Sequence, residues 1–92
     1  MGFFSSVLYS TTEHELTEQE ARRAVTYLQV PTLKQDQERM VQEAILARRG
    51  GDGKISLQQI YEVLTGLKGA NKISKYDREG VLKVMNKLFE KI

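Results

Sequence analysis

The chain has no cysteine, one histidine and one proline among its 92 residues. The absence of cysteine excludes disulfides, thiolate zinc sites and cysteine nucleophiles, and it fits a reducing, cytoplasmic location. The single histidine, His14, excludes a metal motif built from two histidines of one chain. No run approaches the roughly 18 consecutive apolar residues of a membrane-spanning helix, so we expect no transmembrane segment.

The residues that are present are typical of one small globular domain. Hydrophobic residues make up 40% and charged residues 28% of the chain, which is ordinary for a folded soluble protein. No nucleophile elbow, Walker loop or dinucleotide fingerprint occurs, and His14, flanked by Glu13 and Glu15, is expected to be solvated rather than catalytic. We therefore predict one helical domain over residues 1–92 that is not an enzyme and carries no cofactor.

Capping boxes predict where four helices begin. In each box, Ser or Thr is followed three residues later by Glu, Gln or Asp, so the side chains can satisfy free backbone N–H groups of the first turn. The boxes are Thr17–Glu20, Thr32–Gln35, Ser56–Gln59 and Ser74–Asp77. Apolar residues at helical spacing follow each box and predict helices over 18–29, 33–48, 57–67 and 75–91. The predicted fold class is all-α, a single-domain four-helix bundle.

Two details of the N-terminal half complete the helix assignment. Leu28 is placed on the inward face of the first helix, which Val30-Pro31 ends because a residue before proline avoids the helical region. A fifth box, Thr12–Glu15, predicts an extra helical turn over residues 13–16.

Residues 1–12 form an apolar N-terminal arm. The arm is short and lacks a basic n-region, so it does not resemble a secretory signal. Its Gly2 and Ser6 match the pattern for N-myristoylation. An arm that docks on the helices and an acylated arm of a membrane-associated adaptor are the alternatives.

Residues 50–60, which read Gly-Gly-Asp-Gly-Lys-Ile-Ser-Leu-Gln-Gln-Ile, resemble the second half of an EF-hand calcium loop. The resemblance places the loop over residues 48–59, with Gly53 at the invariant glycine and Ile55 at the position that pairs with a partner loop. It implies that the second and third helices are the entering and exiting helices.

The loop lacks most calcium ligands. An EF-hand supplies oxygen atoms at six loop positions and ends on a bidentate Glu. The positions matched here are Arg48, Gly50, Asp52, Lys54, Ser56 and Gln59. Only Asp52 offers a carboxylate, so Asp52, Ser56 and Gln59 form a vestigial site, and we predict that the loop binds neither calcium nor another metal.

Asn71-Lys72-Ile73-Ser74 repeats the pattern of Gly53-Lys54-Ile55-Ser56. Asn71 takes the glycine position because asparagine tolerates a positive φ. The two Lys-Ile-Ser segments are expected to pair as a minimal β bridge. The repeated pattern of a loop followed by a cap also resembles the tellurite-resistance TerB-like helical families. A purely structural role is the alternative, in which glycine turns the chain, isoleucine anchors the loop and serine caps the next helix.

Charge is divided unevenly along the chain. Residues 1–47 carry seven acidic and four basic residues, whereas residues 48–92 carry five acidic and ten basic residues. Lys83, Lys87 and Lys91 follow one another at a spacing of four and predict a basic stripe on the last helix.

The combined pattern favours a protein–protein interaction module that uses an apolar groove between helices and a basic face. Its partner is expected to be acidic or to present an amphipathic helix, and a homodimer is also compatible. The candidate contacts are Phe3, Phe4, Arg48, Arg49, Lys83 and Lys87. Nucleic-acid binding and calcium sensing are the alternative functions.

Overall fold

The computed structural model describes residues 9–90, in which four helices form a bundle around one core with a two-stranded sheet at one end. The elements in chain order are β1 (Glu13–Glu15), α1 (Glu18–Ala24), α2 (Gln35–Arg48), β2 (Lys54–Ser56), α3 (Leu57–Gly69) and α4 (Lys75–Glu90). The predicted all-α bundle is confirmed. The expected contacts Phe3 and Phe4 lie outside the described residues.

Three of the four predicted capping boxes are formed. At α1, the Thr17 hydroxyl oxygen accepts from the backbone N–H of Glu20 at 3.1 Å, and the Glu20 carboxylate accepts from the backbone N–H of Thr17 at 2.9 Å. Ser56 with Gln59, and Ser74 with Asp77, make the same reciprocal pair. The starts of α1, α3 and α4 are therefore set by hydrogen bonds within four residues of sequence.

The predicted box at Thr32 is wrong. The helix α2 begins at Gln35, and its cap residue is Lys34, whose N–H donates to Oε1 of Gln37 at 2.9 Å. The Thr32 hydroxyl donates instead to the buried carboxylate of Asp77, at the start of α4. Because the Thr32 hydroxyl makes this tertiary hydrogen bond, it does not cap α2, and the helix starts later than predicted.

The predicted end of the first helix at Gln29 is also wrong, because α1 ends at Ala24. Two side chains of α2 form hydrogen bonds with backbone groups that a longer α1 would need for its own helical hydrogen bonds. Nε2 of Gln42 donates to the carbonyl oxygen of Val25 at 2.7 Å, and the carboxylate of Glu38 accepts from the N–H of Tyr27. Leu28 consequently faces solvent and is 76% exposed, although the sequence placed it inward.

The sheet does not join the two Lys-Ile-Ser segments. The strand β2 pairs antiparallel with β1, and His14 lies opposite Ile55. The predicted helical turn over residues 13–16 is therefore wrong, because residues 13–15 form a strand. The N–H groups of Asn71 and Lys72 donate back to carbonyl oxygens of α3, at 3.0 and 2.9 Å, and close that helix. In the second segment, the N–H of Lys72 is therefore used in the end of α3, and the N–H of Ser74 donates to Asp77 in the cap of α4.

Two conformational expectations for these loops are confirmed. Gly53 has a φ of +78° and Asn71 a φ of +61°, so both adopt the left-handed conformation that the repeated pattern predicted. Ile55 and Ile73, which follow two residues later in each loop, are buried in the core. Both loops therefore turn on a left-handed residue and are anchored by an isoleucine.

The core runs between the four helices and under the sheet. The helix α4 packs against both α3 and α1, and α2 packs against α1 and α3. Ile55 of β2 and Leu16, the residue after β1, are both fully buried in this core. The helices contribute Ala21, Val41, Ile45, Ile60, Leu64, Val81, Leu82, Met85 and Phe89. This arrangement places the exposed residues Lys83 and Lys87 of α4 beside the last turn of α1.

Candidate functional site

A groove of about 580 Å³ lies between α1 and α4, and we call it the α1–α4 groove. Its floor is formed by the half-buried apolar side chains of Ala24, Val84 and Leu88. Its rims are charged or polar and consist of Glu20, Arg23, Gln29, Lys83 and Lys87. The groove therefore combines an apolar floor with charged walls on both sides.

The residue spacing of the two helices creates this groove. Residues four apart on a helix lie on one line, so Lys83 and Lys87 form one wall, and Val84 and Leu88 run beside them on the floor. Ala24 is the last residue of α1, and its small side chain leaves space between the two helices. Lys83 and Lys87 of the predicted basic stripe thus lie beside a cleft rather than on an isolated helix face, and Lys91 lies outside the described residues.

The cations of the groove have no close partners in the described part of the chain. Within residues 9–90, ion pairs shorter than 4.0 Å join Arg22 to Glu18 and Glu43, and Arg48 to Glu62. None involves Arg23, Lys83 or Lys87. Among the described residues, three cations and one carboxylate therefore line an apolar floor and give this part of the groove a net positive charge.

Exposed apolar side chains lie next to one end of the groove. The connection from α1 to α2 passes along α4, where Val30 packs against Gly80. Immediately before this contact, Tyr27 is 60% and Leu28 is 76% exposed. Sequence reasoning missed this patch because it assigned Leu28 to the buried face of a longer helix.

Arg48 is the last residue of α2 and Arg49 is its C-cap, and neither lines the groove. Their two side chains make different contacts. Nη2 of Arg48 lies 3.7 Å from Oε1 of Glu62, and both side chains are exposed. Arg49 turns inward, where its Nη1 donates to the carbonyl oxygen of Leu16 at 2.8 Å and its Nε donates to that of Leu46 at 3.2 Å. The guanidinium of Arg49 therefore joins the end of α2 to the residue after β1.

The oxygens of the vestigial loop take part in hydrogen bonds within the loop. Oδ1 of Asp52 accepts from the N–H of Lys54 at 3.1 Å, and the carbonyl oxygen of Lys54 accepts from the N–H of Gly50 at 2.9 Å. Ser56 and Gln59 bond to each other in the capping box of α3. The groups that match calcium-ligand positions are thus engaged by neighbouring backbone donors.

Arg49 also lies beside the turn of this loop. A Cβ atom built on Gly53 would be 3.9 Å from Nη1 of Arg49. In the described residues, no three side chains of His, Asp or Glu come together as a group that could hold a metal ion. The guanidinium of Arg49 therefore lies close to the glycine turn, which itself contains the single carboxylate of Asp52.

A further polar cluster joins α1 to α2 through Arg22. Hydrogen bonds to Glu43 and then to Glu18 raise the pKa of the Arg22 guanidinium, so it stays charged throughout the accessible pH range. Nη1 of Arg22 also donates to Oε1 of the buried Gln42 at 2.8 Å. The pair of Glu18 and Arg22 is visible in the sequence as an i,i+4 pair, whereas its partners on α2 follow only from the packing.

Comparison of the chain with protein-family models, with curated proteins and with solved structures finds no match. Over residues 9–90, none of the helices has both the length and the apolar character needed to cross a bilayer. The function must therefore be argued from the groove and from the loop themselves.

Proposed function

We propose that the protein is a non-catalytic protein–protein interaction module that binds its partner in the α1–α4 groove and works without calcium. The observation that carries the proposal is the groove itself, in which an open apolar floor is bordered by Arg23, Lys83 and Lys87. Grooves of this kind between helices bind apolar anchors of a partner on the floor and use the charged rim for selection.

The size and surroundings of the groove support this proposal. Its volume of about 580 Å³ leaves room for apolar side chains of a partner. Tyr27 and Leu28, which come shortly before the lining residue Gln29 in the chain, are both more than half exposed. A partner that covers the floor and these two side chains removes apolar surface from water, which is the main driving force for association.

The loop after α2 supports independence from calcium. We interpret α2, the loop and α3 as an EF-hand-like unit in which the guanidinium of Arg49 stabilises the loop. A calcium ion would have to displace the internal hydrogen bonds of Asp52 and Lys54 and bind near a fixed cation. Both requirements oppose binding, and the loop offers only one carboxylate in return.

Calcium independence is tested on the intact protein. A thermal melt and a proton–nitrogen correlation spectrum are recorded with excess calcium and with chelator. We expect identical melting temperatures and no movement of the amide signals of residues 48–59. A rise in melting temperature together with shifts confined to that loop would establish a calcium sensor instead.

Groove binding is tested by affinity capture from an extract of the source organism. The wild-type chain is compared with Val84→Gln, which makes the floor polar, and with Lys72→Glu as an exposed control outside the groove. We expect proteins that the wild type and the control retain and the floor variant loses. Equal retention by all three proteins would contradict a role for the groove.

Nuclease treatment of the same extract separates the nucleic-acid alternative. Retention that disappears after nuclease, and that falls steeply as salt is raised, would show that the cations bind phosphates. The apolar floor favours a protein, since phosphate backbones give such a surface no partner.

A further inference from the structure

We propose that the occupant of the α1–α4 groove is an acidic amphipathic helix of a partner protein. This inference rests on the proposed function and specifies the chemistry of the partner. It depends on two properties of the groove, namely the spacing of its residues and the sign of its charge.

The spacing matches a helix. Lys83 and Lys87 are four residues apart on α4, and so are Val84 and Leu88, which corresponds to about 6 Å along the helix axis for each pair. A partner helix that runs along the groove repeats its own side chains at the same interval. Apolar residues at i and i+4 can therefore meet Val84 and Leu88 while acidic residues on the adjacent line meet Lys83 and Lys87.

The charge selects an acidic helix over a basic one. Among the described lining residues, Arg23 of α1 and Lys83 and Lys87 of α4 are cations, and Glu20 of α1 is the one carboxylate. None of these cations has a carboxylate within 4.0 Å in residues 9–90. The α1 side carries one cation and one carboxylate, so the excess positive charge lies on the α4 wall. An acidic partner is attracted to that wall, and a basic partner is repelled by it.

The first arm of the test uses two designed peptides as probes. Each has about 15 residues and carries leucines at i and i+4, and the flanking line is glutamate in one peptide and lysine in the other. Proton–nitrogen spectra of the full chain are recorded during titration. We expect the glutamate peptide to shift the signals of Ala24, Val84 and Leu88, and to bind about tenfold or more tightly than the lysine peptide.

The second arm reverses the charge of one wall. In Lys83→Glu/Lys87→Glu we expect affinity for the glutamate peptide to fall about tenfold and affinity for the lysine peptide to rise. The matched control is Lys72→Glu/Lys75→Glu, which changes net charge equally at exposed positions outside the groove. It should change either affinity by less than about twofold. Circular dichroism confirms that both variants are folded.

The outcomes separate this inference from the proposed function. Equal binding of both peptides in the groove would overturn the acidic partner and leave a groove-binding module standing. Self-association of the wild type that Val84→Gln abolishes would replace the partner helix with a second copy of this chain. Signals that move only outside the groove, together with capture that does not depend on Val84, would refute both proposals.

Discussion

Arg49 and Asp77 show how single side chains hold separate elements of this small fold together. Arg49 donates to carbonyl oxygens of Leu46 and Leu16, and Asp77 accepts both from its own helix cap and from Thr32. Hydrogen bonds that involve a charged group contribute more than neutral ones, at about 1.5–3 kcal/mol each. The tertiary contacts of the two side chains could not be inferred from the sequence, where Arg49 was a candidate partner contact and Asp77 was assigned only to the Ser74 capping box.

Replacement of Arg49 by alanine is expected to lower the free energy of unfolding by about 1–3 kcal/mol, because two carbonyl oxygens lose their charged donor. The neighbouring Arg48→Ala is the matched control, and its exposed pair with Glu62 is expected to contribute less than about 1 kcal/mol. Urea denaturation with and without calcium measures both effects. Equal losses for the two variants, or recovery of Arg49→Ala in calcium, would contradict the role assigned to this guanidinium.

At the scale of elements, the connection between α1 and α2 is fitted closely to α4. Its Val30 is buried against Gly80, and Thr32 contacts Asp77 about one turn earlier on the same helix. A Cβ atom on Gly80 would lie 2.6 Å from Cγ1 of Val30, well inside a normal contact distance. Glycine in the middle of α4 is therefore explained by this close approach rather than by helix formation.

Gly80→Ala is expected to destabilise the protein by up to about 2 kcal/mol, since overpacking costs about 1–3 kcal/mol and the gain in helix propensity offsets about 1 kcal/mol of it. Gly66→Ala is the opposite case, because this helical glycine of α3 has nothing within 4 Å of its Cβ position. It should stabilise the protein by about 0.5–1 kcal/mol. Thermal and urea unfolding of both variants decide the matter, and a stabilised Gly80→Ala would show that Val30 does not pack as described.

Among the helices and strands, some features could be predicted from the sequence and others could not. Helix starts at Thr17, Ser56 and Ser74 are local, since donor and acceptor lie three residues apart, and they were predicted correctly. The end of α1 and the partner of β2 depend on contacts with residues far along the chain. Periodicity carries no information about such contacts, so both predictions were wrong.

In the candidate site, too, local spacing was predicted and tertiary packing was not. The spacing of Lys83 and Lys87 was visible in the sequence, and the structure places both on one wall of the groove. The opposite wall with Arg23, the floor residue Ala24 and the exposed Leu28 were not predicted. They depend on the early end of α1 and on its packing against α4.

At the scale of the whole molecule, α4 is an integral part of the core. It contributes Val81, Leu82, Met85 and Phe89 to the buried cluster. The ring of Phe89 also stacks on His14 of β1, with centroids 4.6 Å apart. The last helix therefore contacts the first strand, and the two ends of the described chain stabilise each other.

A chain that ends at Ser74 is accordingly expected to be unfolded. Loss of four buried side chains, at about 1.5–3 kcal/mol each, is comparable with the entire stability of a small domain, about 5–15 kcal/mol. Far-ultraviolet circular dichroism and a thermal melt provide the measurement, with a chain that ends at Glu90 as the folded control. A cooperative melt of the shorter chain would show that α4 is an appendage.

The position of Arg49 has a consequence for regulation. A metal ion in a loop can dissociate, so its occupancy follows the concentration of the ion in solution. A guanidinium is attached to the chain and is therefore present in every molecule, whatever the concentration of the ion. If the proposed function holds, calcium does not control this loop, and we expect partner binding to be the same with excess calcium and with chelator.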